Sequence, residues 1–430
     1  MRVQVLSRRL LGRVDVMVGL KRGIIVPPNF KVERTIEQVV SILSQDVIGG
    51  PKNYDPELYN KMREELIHVL PETQEELPKR RMMDSYDAAI IPLGSNPVLR
   101  DRYSTIYGGV RIGRLLEDMD VFAVHLVFKH VLNPRQKPGS ASPFSIVTAL
   151  VDKIDFKGKI HSDSDIRMSG HVTWVGKSSA ESTLYLEQKR DGEWTKVTEA
   201  RFVLVARDPL NRGSAFINPL EAVTEEEKVL FNKGEENKIR RFQMSQDSLF
   251  RVPPTVAEME IIHDIFIRTV DHKAMSFKAR VKPVNTVWME DAKLKNLIIC
   301  QLEYRNRFNK IFGGFIMRQA FELAWANTHV YGHCRPYIVH VDDIWFRKPV
   351  EVGSMLYFNS QICYTSEQFV QTRVSAEVWD PKSGEMSVTN VFQFTFELRD
   401  QNPAQIIPKT YHEAMMYLTG RRHFVHSIAE

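Results

Sequence analysis

Cysteine is scarce in this chain of 430 residues, with only Cys300, Cys334 and Cys363. They have no metal-ligand spacing, and an odd number cannot fully pair, so a disulfide framework is excluded and a reducing compartment is expected. No apolar run reaches the 18 or so residues of a membrane-spanning helix. Net charge is only +5, no basic run is long, and no zinc-finger, helix-turn-helix or RNP-like signature occurs. Nucleic acid is therefore not an expected partner. No G-x-S-x-G elbow is present, which disfavours a Ser-His-Asp hydrolase. The histidines near the helix ends, His125, His130, His329 and His333, lack the spacing of a dehydratase motif.

What the chain does have is a buried-looking helix, twice. Asn306 to Thr328 reads NRFNKIFGGFIMRQAFELAWANT. Its apolar residues leave no broad polar face, so the helix is expected in a core. Gly313 and Gly314 open it, allow close backbone approach and leave N–H groups for a carbonyl oxygen or anion. Its one acid, Glu322, needs a partner or a task. Asp101 to Val121, DRYSTIYGGVRIGRLLEDMDV, repeats the design 205 residues earlier (313 − 108), with Gly108, Gly109 and Glu117 on Gly313, Gly314 and Glu322. Downstream, VDKIDF (Val151 to Phe156) returns as VDDIWF (Val341 to Phe346), an offset of 190 (341 − 151). The chain reads as two diverged copies of one unit, the first holding about 15 extra residues (205 − 190) in a polar loop near 133–143.

The flanks follow from local patterns. Residues 1–23 hold Arg2, Arg8, Arg9, Arg13, Lys21 and Arg22 against a single acid, Asp15. That amphipathic, Arg-rich start is expected to be a mitochondrial transit peptide, which implies the matrix. Residues 24–83 form a helical extension, 84–208 the first unit, 209–285 a connector, 286–400 the second unit and 401–430 a tail. The connector carries two capping boxes, Thr224–Glu227 and Thr255–Glu258, and so two helices, the first expected to be solvated. In each unit a strand, the buried helix and four further strands imply an antiparallel sheet with a helix against it.

At this point the residues resemble the hotdog-fold acyl-CoA thioesterases: IFGGFIMRQAFELAWAN is similar to that family's central helix, and the two copies to its two-hotdog members. The resemblance covers about 84–415. It implies an α+β fold, a tandem (double) hotdog, each unit an antiparallel sheet wrapped around a long central helix, with acyl-CoA at the seam of the pseudo-dimer. Hydrolysis to free fatty acid and coenzyme A would need no cofactor or metal, coenzyme A being part of the substrate. A homo-oligomer built on the pseudo-dimer is expected.

In that family an Asn seven residues before the first glycine and an acid on the opposite helix handle the water. Asn306 stands at that place, whereas Asp101 holds it in the first copy. The family's acid falls eight residues after the first glycine. Here those places are Leu116 and Phe321, and the acids come at nine, Glu117 and Glu322, with Asp118 one further on. Candidate catalytic residues are therefore Asn306, Glu117, Asp118 and Glu322, with oxyanion N–H groups around Gly108, Gly109, Gly313 and Gly314. The site pairing Asn306 with Glu117 or Asp118 would be active, and that pairing Asp101 with Glu322 poor. Glu322 could equally be paired with Arg318, Glu117 with Arg114 or Arg111, and Asp118 and Asp120 could be solvated. Ser178 and Ser179 lie where related proteins contact coenzyme A, and Arg305, Arg307 and Lys310 could meet its phosphates. The alternatives are an enoyl- or hydroxyacyl-CoA hydratase or dehydratase on the same fold, and an acyl-CoA-binding regulator without catalysis.

Overall fold

The computed structural model describes residues 34–46, 56–137, 142–156, 158–190, 192–274, 276–278, 280–306, 310–380 and 383–428. The transit-peptide stretch and Arg307 lie outside the described residues. Helices, in order, are α1 (Ile36–Asp46), α2 (Pro56–Ile67), α3 (Pro97–Tyr103), α4 (Ile112–His130), α5 (Glu225–Gln246), α6 (Val256–Thr269), α7 (Gly313–Gly332) and α8 (Tyr411–Ile428). The longer strands are β1 (Asp87–Ile91), β2 (Ser145–Val151), β3 (Ile154–Phe156), β4 (Ile166–Val175), β5 (Ser179–Arg190), β6 (Glu193–Arg207), β7 (Lys293–Ile299), β8 (Pro336–Val341), β9 (Ile344–Phe346), β10 (Met355–Ser366), β11 (Phe369–Trp379) and β12 (Met386–Leu398).

These strands, with the short Arg34–Thr35, make one thirteen-stranded sheet ordered β1-β4-β5-β6-β2-β9-β12-β11-β10-β7, with β3 and β8 closing the middle. The repeat seen in the sequence is written into the hydrogen bonding. β2 bulges between Thr148 and Leu150, and β8 between Ile338 and His340, a shift of 190 (338 − 148). The bulges at Val172/Trp174 and Leu186/Glu187 recur at Ile362/Tyr364 and Ala376/Glu377 with the same shift (362 − 172 and 376 − 186). A bulge re-aims the strand and unpairs one residue, so its recurrence means that both sheets bend at the same places. The copies are joined backbone to backbone, β2 to β9 and β3 to β8, all antiparallel.

α4 lies on β2, β4 and β5, α7 on β10, β11 and β12, and the two helices pack on each other. Leu115, Leu116, Met119 and Phe122 of α4, and Met317, Ala320 and Ala324 of α7, are fully buried in one core that spans both copies. Alternation along β12 turns Phe392, Phe394 and Phe396 inward, where Phe321 meets Phe394 edge-on at 5.5 Å. Such a run is the sheet's half of a core whose other half is a helix apolar all round.

Both capping boxes of the connector form, at the starts of α5 and α6. The expectation that the first connector helix is solvated needs correction. Gly234 of α5 lies against Trp174, where a Cβ would come within 2.4 Å of the Trp174 Cβ, so the helix is seated on β4. Its Arg241 is buried between Asp152 (3.4 Å) and Glu181 (3.1 Å), and Arg240 reaches Asp152 at 2.7 Å. The tail carries an 18-residue helix, and its His423 pairs with buried Asp342. Asp342 follows β8 as Asp152 follows β2, so each copy pins an outlying helix by the same aspartate. Removing one partner of a buried ion pair strands the other charge and costs about 3–5 kcal/mol. Arg241→Met should lower unfolding free energy on that scale in a denaturant titration, and adding Glu181→Gln should recover part of the loss.

Candidate active site

Two cavities lie at the starts of α7 and α4. The first, of about 440 Å³, is walled by the residues before α7, by β2 and by the segment after β9, with Asn306, Gly313, Ile316, Ile146, Thr148, Arg207, Arg347 and Lys348 among its lining. No side chain caps α7, which begins directly at Gly313. Its first N–H groups therefore face the cavity side of the helix end. Gly313 is needed there: a Cβ would sit 3.0 Å from the Phe346 ring and 3.4 Å from Asp120 Oδ2.

Asp120 is the residue that sequence reasoning passed over. It is fully buried on α4, and its Oδ1 accepts from the Thr148 hydroxyl at 2.7 Å. Its Oδ2 makes no regular hydrogen bond and is turned to the Gly313–Gly314 backbone. Burial pushes its pKa up to about 7, against the Thr148 hydroxyl and the Gly314 N–H, which favour the ionised form; neighbouring Glu117 pushes it higher still. A desolvated carboxylate raised toward neutrality at the N–H end of a helix has the makings of a general base. Neither Asp118 nor Asp120 is solvated, contrary to that alternative; both are buried.

The other candidates sit elsewhere. Asp118 faces away, accepting a 2.5 Å hydrogen bond from the buried Tyr103 hydroxyl. Burial raises its pKa to about 7 and Arg114 opposes the rise. Glu117 is held by Arg114 at 2.9 Å and Arg318 at 3.1 Å, and Glu322 by Arg111 at 2.6 Å and Arg318 at 3.2 Å. The two glutamates thus form the ends of an arginine-bridged network across the helix crossing, Glu117 through Oε2 and Glu322 through Oε1. Asp101 lies exposed on α3 and does not meet Glu322. Asn306 does line the first cavity, where its side-chain oxygen accepts from the Lys310 N–H at 3.1 Å. Lys310 also lines the cavity and pairs with Glu351, whereas Arg305, buried beside Asn306, does not line it. Ser178 and Ser179 form the β4–β5 turn and do not line it either.

The first copy's glycines also need correction. α4 starts at Ile112, three residues after Gly109. Gly108 N–H donates to the Thr105 carbonyl at 3.0 Å and Gly109 N–H to the Thr105 hydroxyl at 3.1 Å. Gly108 has φ 73°, a turn conformation that only glycine adopts freely. Both N–H groups are spent within the loop, so no oxyanion hole forms there.

Two other glycines set the distance between the helices. A Cβ at Gly113 would lie 3.3 Å from Arg318 Cγ and 3.3 Å from the Phe321 ring. A Cβ at Gly314 would meet Glu117 O at 3.0 Å and Glu117 Cα at 3.1 Å. Alanine ordinarily favours a helix over glycine by about 1 kcal/mol. At Gly314 the sign should reverse: Gly314→Ala should destabilise by about 1–3 kcal/mol from overpacking, read as a lowered denaturant midpoint.

With this geometry in view, the relatives are informative. The chain is 46% identical over 382 residues, 88% of its own length and 86% of the relative's, to the mitochondrial acyl-coenzyme A thioesterase 9 of Homo sapiens. It is 44% identical over 407 residues, 94% and 92% of the two lengths, to the mitochondrial acyl-coenzyme A thioesterase 10 of Mus musculus. A more distant relative is the mitochondrial acyl-coenzyme A thioesterase 4 of Humulus lupulus, at 32% over 81% of this chain and 68% of that one. No family model matches. Among solved structures, the 12:0-ACP thioesterase of Umbellularia californica aligns over 73% of this chain and 95% of its own with TM-score 0.45 and 10% identity, too distant to carry an argument. By identity sustained over nearly its whole length, the chain belongs to the acyl-coenzyme A thioesterase family.

Proposed function

We propose that the first cavity hydrolyses acyl-CoA to a free acid and coenzyme A, with Asp120 as general base. The observation that carries this is a buried, up-shifted carboxylate, held by Thr148 and turned to Gly313, two residues that line the cavity together with Asn306. In the ionised form Asp120 takes a proton from water as its oxygen attacks the thioester carbon. The Asn306 amide both donates and accepts, which suits it to hold that water. The N–H end of α7, at Gly313, receives the charge that develops on the carbonyl oxygen. Collapse of the tetrahedral intermediate breaks the C–S bond, and the departing thiolate is protonated. The cations Arg207, Arg347 and Lys348 on the cavity wall match the phosphates of coenzyme A, and Ile146 and Ile316 match the acyl chain. No step calls for a cofactor or metal. A hydratase or dehydratase would release no thiol, and a pure binder would show no turnover.

The wider reading is a tandem hotdog, supported by the repeated bulges and the two central helices, with units near 84–208 and 286–400 and a connector of 209–285. Assembly of further copies on this pseudo-dimer and residence in the mitochondrial matrix belong to the same proposal, the latter supported by relatives named as mitochondrial.

Thiol release from a panel of acyl-CoAs tests the chemistry. Asp120→Asn and Asn306→Ala should each lose kcat by about 10²–10⁴ with an unchanged fold; Asp120→Asn at wild-type rate, with Glu322→Gln inactive, would refute the assignment.

The pH profile separates base from neighbours. kcat/KM should fall below about pH 7, where Asp120 takes up a proton. Thr148→Val removes a hydrogen bond to the ionised form, so the midpoint should move to higher pH. Glu117→Gln removes a repelling charge, so it should move lower with turnover retained. An unmoved midpoint in both variants would mean that another group titrates.

A further inference from the structure

The second cavity, about 780 Å³, is the repeat's image of the first. It is walled by the loop before α4, by β8 and by the segment after β3, as the first is by the loop before α7, by β2 and by the segment after β9. Each side chain assigned to the hydrolysis has been replaced in it. Phe321 stands where the helix starts put Asp120 (313 − 112 = 201 and 321 − 120 = 201), and Ile338 where the shared bulge puts Thr148. Thr105 takes the place of Asn306: its N–H donates to the Gly109 carbonyl as that of Asn306 donates to the Lys310 carbonyl. The N–H groups of Gly108 and Gly109 are turned into their own loop.

The cavity has nevertheless stayed open. Protein interiors are close-packed and empty apolar volume costs stability, so a site with no occupant tends to be filled by side chains. Its walls have a definite chemistry. At the mouth the Arg335 guanidinium lies 5.0 Å from the Tyr107 ring and 4.9 Å from the Tyr337 ring, and Arg399 stacks 4.2 Å from the other side of the cluster at Tyr337. Arginine presented on aromatic planes suits an anion that carries a flat base. Deeper in, Ile112, Phe321 and Ile338 line it with apolar surface. An anionic, ring-bearing head on an apolar tail is the form of an acyl-CoA.

We propose that the second cavity binds acyl-CoA and holds it uncleaved. This rests on reading the first cavity as the thioesterase site, because the lost groups are defined by it. The test is calorimetric titration of the whole protein with the thioether analogue of octanoyl-CoA, whose C–S–C link cannot be hydrolysed. Two equivalents per chain are expected. Arg335→Glu should reduce this to one while thiol release from saturating octanoyl-CoA continues. Ile338→Trp, which fills the floor without changing charge, should do the same. Arg347→Glu should remove the other equivalent together with turnover. One equivalent in the wild type, untouched by Arg335→Glu and Ile338→Trp, overturns the proposal and leaves the first site standing. One equivalent lost with Arg335→Glu and kept in Arg347→Glu supports the second site and sinks the reading of the first. No binding at all overturns both.

Discussion

The close crossing of α4 and α7 governs this structure. Gly113 and Gly314 remove the side chains at the contact, so the backbone of Glu117 touches the first turn of α7. That single approach places the start of one copy's helix against the flank of the other's. It brings Asp120, one turn beyond Glu117, to the N–H end of α7. A side chain at either glycine would press the two helices apart at this contact. The site is therefore a property of the helix pair, and neither copy holds it alone.

The crossing also explains why the glutamates are poor candidates for chemistry. Four arginine contacts tie Glu117 and Glu322 across the helices through Arg111, Arg114 and Arg318. Charges so paired lock the crossing in register. Asp120 lies one turn deeper, where no arginine pairs with it, and burial acts almost unopposed except for one hydroxyl and one backbone dipole. Two carboxylates on one helix, a turn apart, are thus divided between holding the frame and holding a proton.

Much of this was legible before any coordinates. The offset repeat, both buried helices, both capping boxes and most strands follow from period and turn chemistry, and Asn306 was singled out by its spacing. What misled was counting from the glycines. The count assumes that each helix begins at its glycine pair. α7 does, at Gly313, but α4 begins at Ile112, after a loop that consumes the N–H groups of Gly108 and Gly109. Nor could the acidic run EDMD declare which of its members faces α7. Glu117 and Asp120 are neighbours on a helix surface, three residues apart, whereas Asp118 points elsewhere, to Tyr103. That choice depends on the crossing, and the crossing depends on contacts between residues far apart in the chain, such as Glu117 with Gly314 and Gly113 with Arg318.

Duplication made the division of labour possible. An isologous pair of identical units has two equal sites, so any change at one is imposed on the other. Once both units lie in one chain, each can vary by itself. Here Phe321 in the place of Asp120 and Ile338 in the place of Thr148 have left the sheet intact: the bulge at Ile338/His340 still matches that at Thr148/Leu150. The frame is conserved between the halves because it is shared backbone, while the side chains facing each cavity touch only that cavity. Chemistry can then be lost on one side without loosening the helix crossing on which the other side depends.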